Sequence, residues 1–171
     1  QSMFQSFSQT GVSPSQIFLS LNDLISKRLR EGDFITAVIA LFDLNENSVT
    51  IARAGHNWPL YYCATTRTIK ELKPRGISIG LMDNELFSNQ LEEEKIFLHP
   101  GDFLLLYSDG VTEATDSQNR MFETTGLKSV ISECAHESSG NIINQIDSQL
   151  QKFVRSGELQ DDATMVAIKV K

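Results

Sequence analysis

The chain has 171 residues and a mass of 19.1 kDa, enough for one domain that buries roughly 70 % of its unfolded surface. Hydrophobic residues make up 40 % and charged residues 22 %, ordinary globular usage that excludes a disordered, collagen-like or coiled-coil chain. With 15 Lys and Arg against 22 Asp and Glu the net charge is −7, which repels phosphate backbones and anionic lipid and argues against nucleic-acid or membrane partners.

The two cysteines, Cys63 and Cys134, form no CxxC pair. Zinc-knuckle and disulfide-scaffold classes fall away, and a reducing, cytoplasmic setting fits. No stretch approaches the ~20 apolar residues that cross a bilayer, and the opening QSMFQSFSQT has neither a basic n-region nor an h-region. Met3, Phe4 and Phe7 have the spacing of the last turns of an amphipathic helix begun upstream of Gln1; a disordered leader is the competing expectation.

A helix is predicted over 14–31. Ser13 caps it, Pro14 suits its first position, Gln16 completes a capping box, and Gly32 stands where a helix-ending glycine would. Ile17, Phe18, Leu21, Leu24, Ile25 and Leu29 supply its apolar stripe. From Phe34 to Ile96 the pattern changes to short β-branched and apolar runs, FITAVIALFDL, SVTIARA, LYYCAT, TIKEL and EKIFL, read as antiparallel strands. Asn45-Glu46-Asn47 marks a hairpin, and Phe34–Leu44 is apolar enough to be covered on both faces. FLLLYSDG gives a buried strand ending at Asp109-Gly110. A short helix carries Leu127, Val130, Ile131 and Cys134; a longer one runs from Ile142 to Val154 and is closed by Gly157; a final strand spans Thr164–Val170. This order indicates an α+β fold, a layered antiparallel β-sandwich flanked by helices.

The informative chemistry is a pair of acidic sites at strand ends. Asp109 follows the strand Phe103–Tyr107, and Asp161 and Asp162 precede the strand Thr164–Val170. If those strands are antiparallel neighbours, the carboxylates converge on one rim and need a cation or protons to offset their repulsion. Oxygen-only ligation favours Mg²⁺ or Mn²⁺ over zinc. The bland alternative is an Asp-Gly turn and a solvated Asp-Asp cap. Asp43, Asn45 and Asn47 have EF-hand spacing, but Ser48 and Ala54 occupy the positions that need Gly and Glu, so that loop is a turn. His56 could serve as an acid or base or order its loop through hydrogen bonds; His99 and His136 read as surface residues. Cys63 reads as a buried apolar thiol. Ser108 lacks the GxSxG context of an esterase, so a Ser-His-Asp hydrolase is a weak alternative. Gly76 and Gly80 read as a backbone turn rather than a nucleotide loop.

Taken in order, AGHN at 54–57, RGISIGL at 75–81, HPGDFLLLYSDGVTEAT at 99–115 and DDATMVAI at 161–168 resemble the bacterial metal-dependent PPM-type protein phosphatases. The resemblance is to the stage II sporulation protein E branch, which includes activators of stress-response sigma factors. It implies two packed antiparallel sheets flanked by helices. It also implies removal of phosphate from phosphoserine or phosphothreonine on a regulatory protein such as an anti-sigma-factor antagonist, with two Mn²⁺ or Mg²⁺ ions. By the same resemblance Asp109 and Asp161 are catalytic metal ligands, with Asp162 beside them, and a metal-activated water attacks phosphorus.

The family's two further acidic motifs, expected on strands before the first helix, are absent upstream of Ser13. The chain therefore reads as the C-terminal portion of a PPM-type phosphatase domain, lacking part of its metal site. A catalytically silent relative that binds the switch protein is the alternative. An unpaired sheet edge is expected to favour a homodimer. Smaller departures are Trp58 where Pro is usual, Asn119 where Gly is usual, and Glu123 where Gly often follows the aromatic residue.

Overall fold

The computed structural model describes residues 11–154 and 161–171. The helix-remnant reading of Met3, Phe4 and Phe7 and the stop at Gly157 lie outside the described residues. Two compact units emerge, one formed through His56 together with Lys73–Phe97, the other by Asn57–Leu72 with Leu98–Lys171.

In the first unit, α1 (Pro14–Ser26) opens with the expected capping box: Ser13 accepts from the Gln16 amide while the Gln16 side chain accepts from the Ser13 amide. The helix stops at Ser26, not at residue 31. Residues 27–33 turn instead, which lays Leu29 against Gly80, where a Cβ would stand 2.4 Å from Leu29 Cδ1. Periodicity kept Leu29 in phase with the helix, but its packing is tertiary. Ile17, Phe18 and Leu21 bury against Ala52, Ala54, Ile79 and Phe87. Phe87 comes from α2 (Asn84–Ser88), capped by Asp83 and too short to show a helical period.

The unit's sheet has the order β1 (Ala37–Asp43), β2 (Ser48–Ala54), β5 (Glu93–Phe97), all antiparallel. Asp43 Oδ1 accepts from the amides of Asn45 and Glu46, and Asn47 takes φ 49°, closing the predicted hairpin. The expectation that Phe34–Leu44 is covered on both faces fails. Among the described residues β1 is an edge strand, with Phe34 55 %, Leu41 37 % and Leu44 85 % exposed; β2, in the middle, carries the buried Val49, Ile51, Ala52 and Ala54. The AGHN and RGISIGL motifs meet here. The Gly55 amide donates to Gly76 O, Arg53 Nε donates to Pro74 O, and Arg53 Nη1 donates to His56 O at 2.7 Å.

The second unit holds β3 (Leu60–Cys63), β4 (Thr68–Glu71), β6 (Phe103–Tyr107) and β7 (Met165–Lys169) in the antiparallel order β4-β3-β6-β7. After β6 comes a short helix, α3 (Asp109–Thr112), then α4 (Glu123–Cys134) and α5 (Ser139–Val154). Leu127, Val130 and Ile131 of α4 and Ile142, Ile146 and Leu150 of α5 form one core with Phe103, Leu105 and Tyr107. Lys169 Nζ donates to Ala135 O and Glu137 O, binding β7 to the carbonyl end of α4. Two antiparallel sheets flanked by helices are thus present, as expected.

Two positions outside the site make predictions. Glu123 stands at the start of α4 with φ 56°, where any Cβ is strained. Here glycine should beat alanine, the reverse of ordinary helix propensity: Glu123→Gly is expected to be about 1 kcal/mol more stable than Glu123→Ala in urea unfolding. Alanine proving the more stable would remove the strain argument. Asp102, fully buried, accepts hydrogen bonds from the Tyr61 hydroxyl and the amides of Ala64 and His99. Burial opposes its charge, but these donors outweigh that and hold its carboxyl below the usual range. A depressed folded-state value contributes stability above about pH 4 that is lost as pH falls through it. Asp102→Asn should therefore flatten the acid limb of the stability curve below about pH 4, with an unchanged acid limb counting against the assignment.

Candidate metal centre

β6 and β7 pair antiparallel, Phe103 opposite Lys169 and Tyr107 opposite Met165. The pairing brings the segment after β6 beside the segment before β7. Ser108 N donates to Thr164 O at 3.0 Å, and the Ser108 hydroxyl donates to Asp162 O at 3.0 Å while accepting from Thr164 N at 2.9 Å. A Cβ on Gly110 would lie 2.6 Å from Asp162 O and 3.2 Å from Asp161 O. Only glycine permits that approach. Asp109, expected at the end of the strand, lies just beyond β6 and begins α3, with its carbonyl accepting from Glu113 N.

Asp109, Asp161 and Asp162 are all exposed. Asp109 Oδ1 accepts from the Gly110 amide at 3.0 Å and Asp161 Oδ1 from the Asp162 amide at 2.7 Å. Each carboxylate thereby has one oxygen engaged by the adjacent amide. Two exposed carboxylates on abutting segments, with oxygen as their only donor atom, suit a hard divalent cation such as Mg²⁺ or Mn²⁺. Among the described residues no group of three or more His, Cys, Asp and Glu side chains is placed to hold a metal.

The other candidates separate from this corner. His56 Nδ1 lies 3.3 Å from Thr36 Oγ1, and its carbonyl is held by Arg53, so it is tied into its own loop. His99 is on the surface, its amide and ring beside Asp102. Cys63 is not the buried apolar thiol that its strand suggested: it is half-buried, and hydrogen bonds from the Thr66 side chain and amide hold its thiol below the ordinary range. Ser108 spends its hydroxyl on backbone partners, which removes the Ser-His-Asp alternative. Spacing gave no hint of the Ser108 contacts or of Asp102, because both depend on partners more than 35 residues away.

The sequence matches the family described as Stage II sporulation protein E (SpoIIE) over residues 1–171. This chain belongs to the SpoIIE family. The phosphoserine phosphatase RsbU of Bacillus subtilis is 30 % identical over 169 residues, covering 97 % of this chain and 48 % of RsbU, so the chain spans about half the length of that relative. The SiaA-PP2C domain of Pseudomonas aeruginosa superposes with a TM-score of 0.81 at 16 % identity, covering 99 % of this chain and 66 % of that one. The Mn-presoaked phosphatase domain of SpoIIE from Bacillus subtilis superposes with a TM-score of 0.67 at 18 % identity, covering 99 % and 72 %. At those identities the solved domains speak for the fold, which is the PP2C-like fold of SpoIIE phosphatase domains. No helix among the described residues is long and apolar enough to cross a membrane.

Proposed function

We propose that this chain is the C-terminal portion of a SpoIIE-type protein serine/threonine phosphatase domain. The reading is that it hydrolyses phosphoserine or phosphothreonine on a cytoplasmic regulatory protein of the anti-sigma-factor-antagonist kind. Asp109 and Asp161 are the metal ligands in this reading, with Asp162 supporting them. The observation that carries it is the abutment of the Asp109 and Asp161 segments, sealed by Gly110 against Asp162 O. Kinship with RsbU, named a phosphoserine phosphatase, supports the reaction class, and the Mn-presoaked SpoIIE domain supports Mn²⁺ or Mg²⁺.

When bound, such ions supply an activated water and neutralise phosphoryl oxygens. The chain's own contribution is to hold two carboxylates on neighbouring backbone segments, oriented by the Gly110 and Asp162 amides. Further ligands would come from outside the residues described. The absence of a third acidic or imidazole ligand among the described residues favours a second reading, a catalytically silent module that binds the switch protein. Mn²⁺-dependent release of phosphate from a phosphoserine peptide by the full-length parent protein separates the two; no release would leave the binding module. The exposed outer edge of β1, with Leu41 and Leu44, supports a homodimer, which a monomer mass by light scattering at high concentration would refute.

A further inference from the structure

The ladder between β6 and β7 does not stop at its last strand pair. Beyond Tyr107 and Met165, Ser108 continues it with its amide and then adds its hydroxyl, which donates to Asp162 O and accepts from Thr164 N. One hydroxyl therefore bridges the carbonyl and the amide on either side of residue 163. It uses its single proton and one lone pair on backbone partners. On the far side of Asp109, Gly110 lies against the same Asp162 carbonyl. Asp109 is thus flanked, before and after, by contacts to the segment that carries Asp161.

We propose that Ser108 is a positioning residue that sets the separation of Asp109 and Asp161 by clamping residues 162–164. The proposal rests on the reading of those two aspartates as metal ligands. A cation can engage both carboxylates only where the backbone holds their two segments together. A neutral hydroxyl holds them without adding charge or occupying a ligand position. Groups that orient metal ligands from behind are worth 10–100-fold in affinity.

The test uses the full-length parent protein, with Mn²⁺ binding followed by electron paramagnetic resonance and amide exchange of Thr164 followed in metal-free protein. Ser108→Ala is expected to weaken Mn²⁺ binding about tenfold and to speed exchange at Thr164, while Ser108→Thr, which keeps the hydroxyl, restores both. Any phosphatase activity lost in Ser108→Ala should return at high Mn²⁺. Unchanged Mn²⁺ affinity, unchanged Thr164 exchange, or an activity loss that Mn²⁺ does not recover would each overturn the proposal. Should Ser108→Ala fail to fold by circular dichroism, Ser108→Cys, of similar size but a weak donor, carries the same titration, and a wild-type midpoint there overturns the clamp. Asp109→Asn and Asp161→Asn binding Mn²⁺ like the wild type would instead defeat the ligand assignment, and Thr164 exchange would still decide the clamp.

Discussion

Asp109→Asn and Asp161→Asn, each made in the full-length parent protein, are expected to lower phosphopeptide hydrolysis by about 10²–10³-fold. A metal's stabilisation of transition-state charge amounts to several kcal/mol, and 1.36 kcal/mol is tenfold in rate. Both side chains are exposed and their local hydrogen bonds are to neighbouring amides, so thermal midpoints should stay near wild type. Asp162→Asn keeps the backbone carbonyl that receives the Ser108 hydroxyl and should cost about tenfold or less. Steady-state kinetics over a Mn²⁺ series reads all three. Asp109→Asn activity within threefold of wild type would remove this carboxylate from the chemistry.

The largest stability effect belongs to Gly76→Ala. A Cβ there would sit 1.6 Å from Arg53 O and 2.8 Å from Arg53 C, a collision with β2 backbone and not with a side chain that could swing away. The carbonyl of Gly76 is also held by the Gly55 amide, so the loop cannot retreat without losing that bond. A loss of more than about 4 kcal/mol is expected, read as a collapse of the denaturant midpoint. Gly140→Ala provides the opposite case. It lies in the first turn of α5 with nothing within 4 Å of its missing Cβ and should gain about 0.5–1 kcal/mol. A Gly76→Ala protein as stable as wild type would mean that the β2 contact is looser than its geometry.

Strand pairing and periodicity carried most of the architecture. The β1–β2 hairpin was readable because Asn45 and Asn47 mark a turn between β-branched runs, and α4 and α5 because their buried residues recur at helical spacing. The meeting of the Asp109 and Asp161 segments followed from assuming that two apolar strands with acidic ends lie antiparallel, which β6 and β7 do. Glu123, marked as unusual beside Phe122, has the positive φ that makes glycine preferable there, and Asn119 has φ 58°, tolerable for its side chain. Illegible features were those decided by distant partners. Leu29 leaves its helix to cover Gly80; Phe34–Leu44 is apolar yet forms a sheet edge; Ser108 and Asp102 look like ordinary turn residues until their partners at 162–164 and 61–64 are known.

Because Asp161 is delivered by the approach to β7 while Asp109 leaves from the end of β6, more than 50 residues of chain must be made and folded between the two acidic groups. On the ribosome, a nascent chain halted between residues 110 and 164 holds the first group but not the strand that brings the second. If the two aspartates act together as proposed, their joint site would then arise late and all at once during translation, and interrupted synthesis would yield fragments without it.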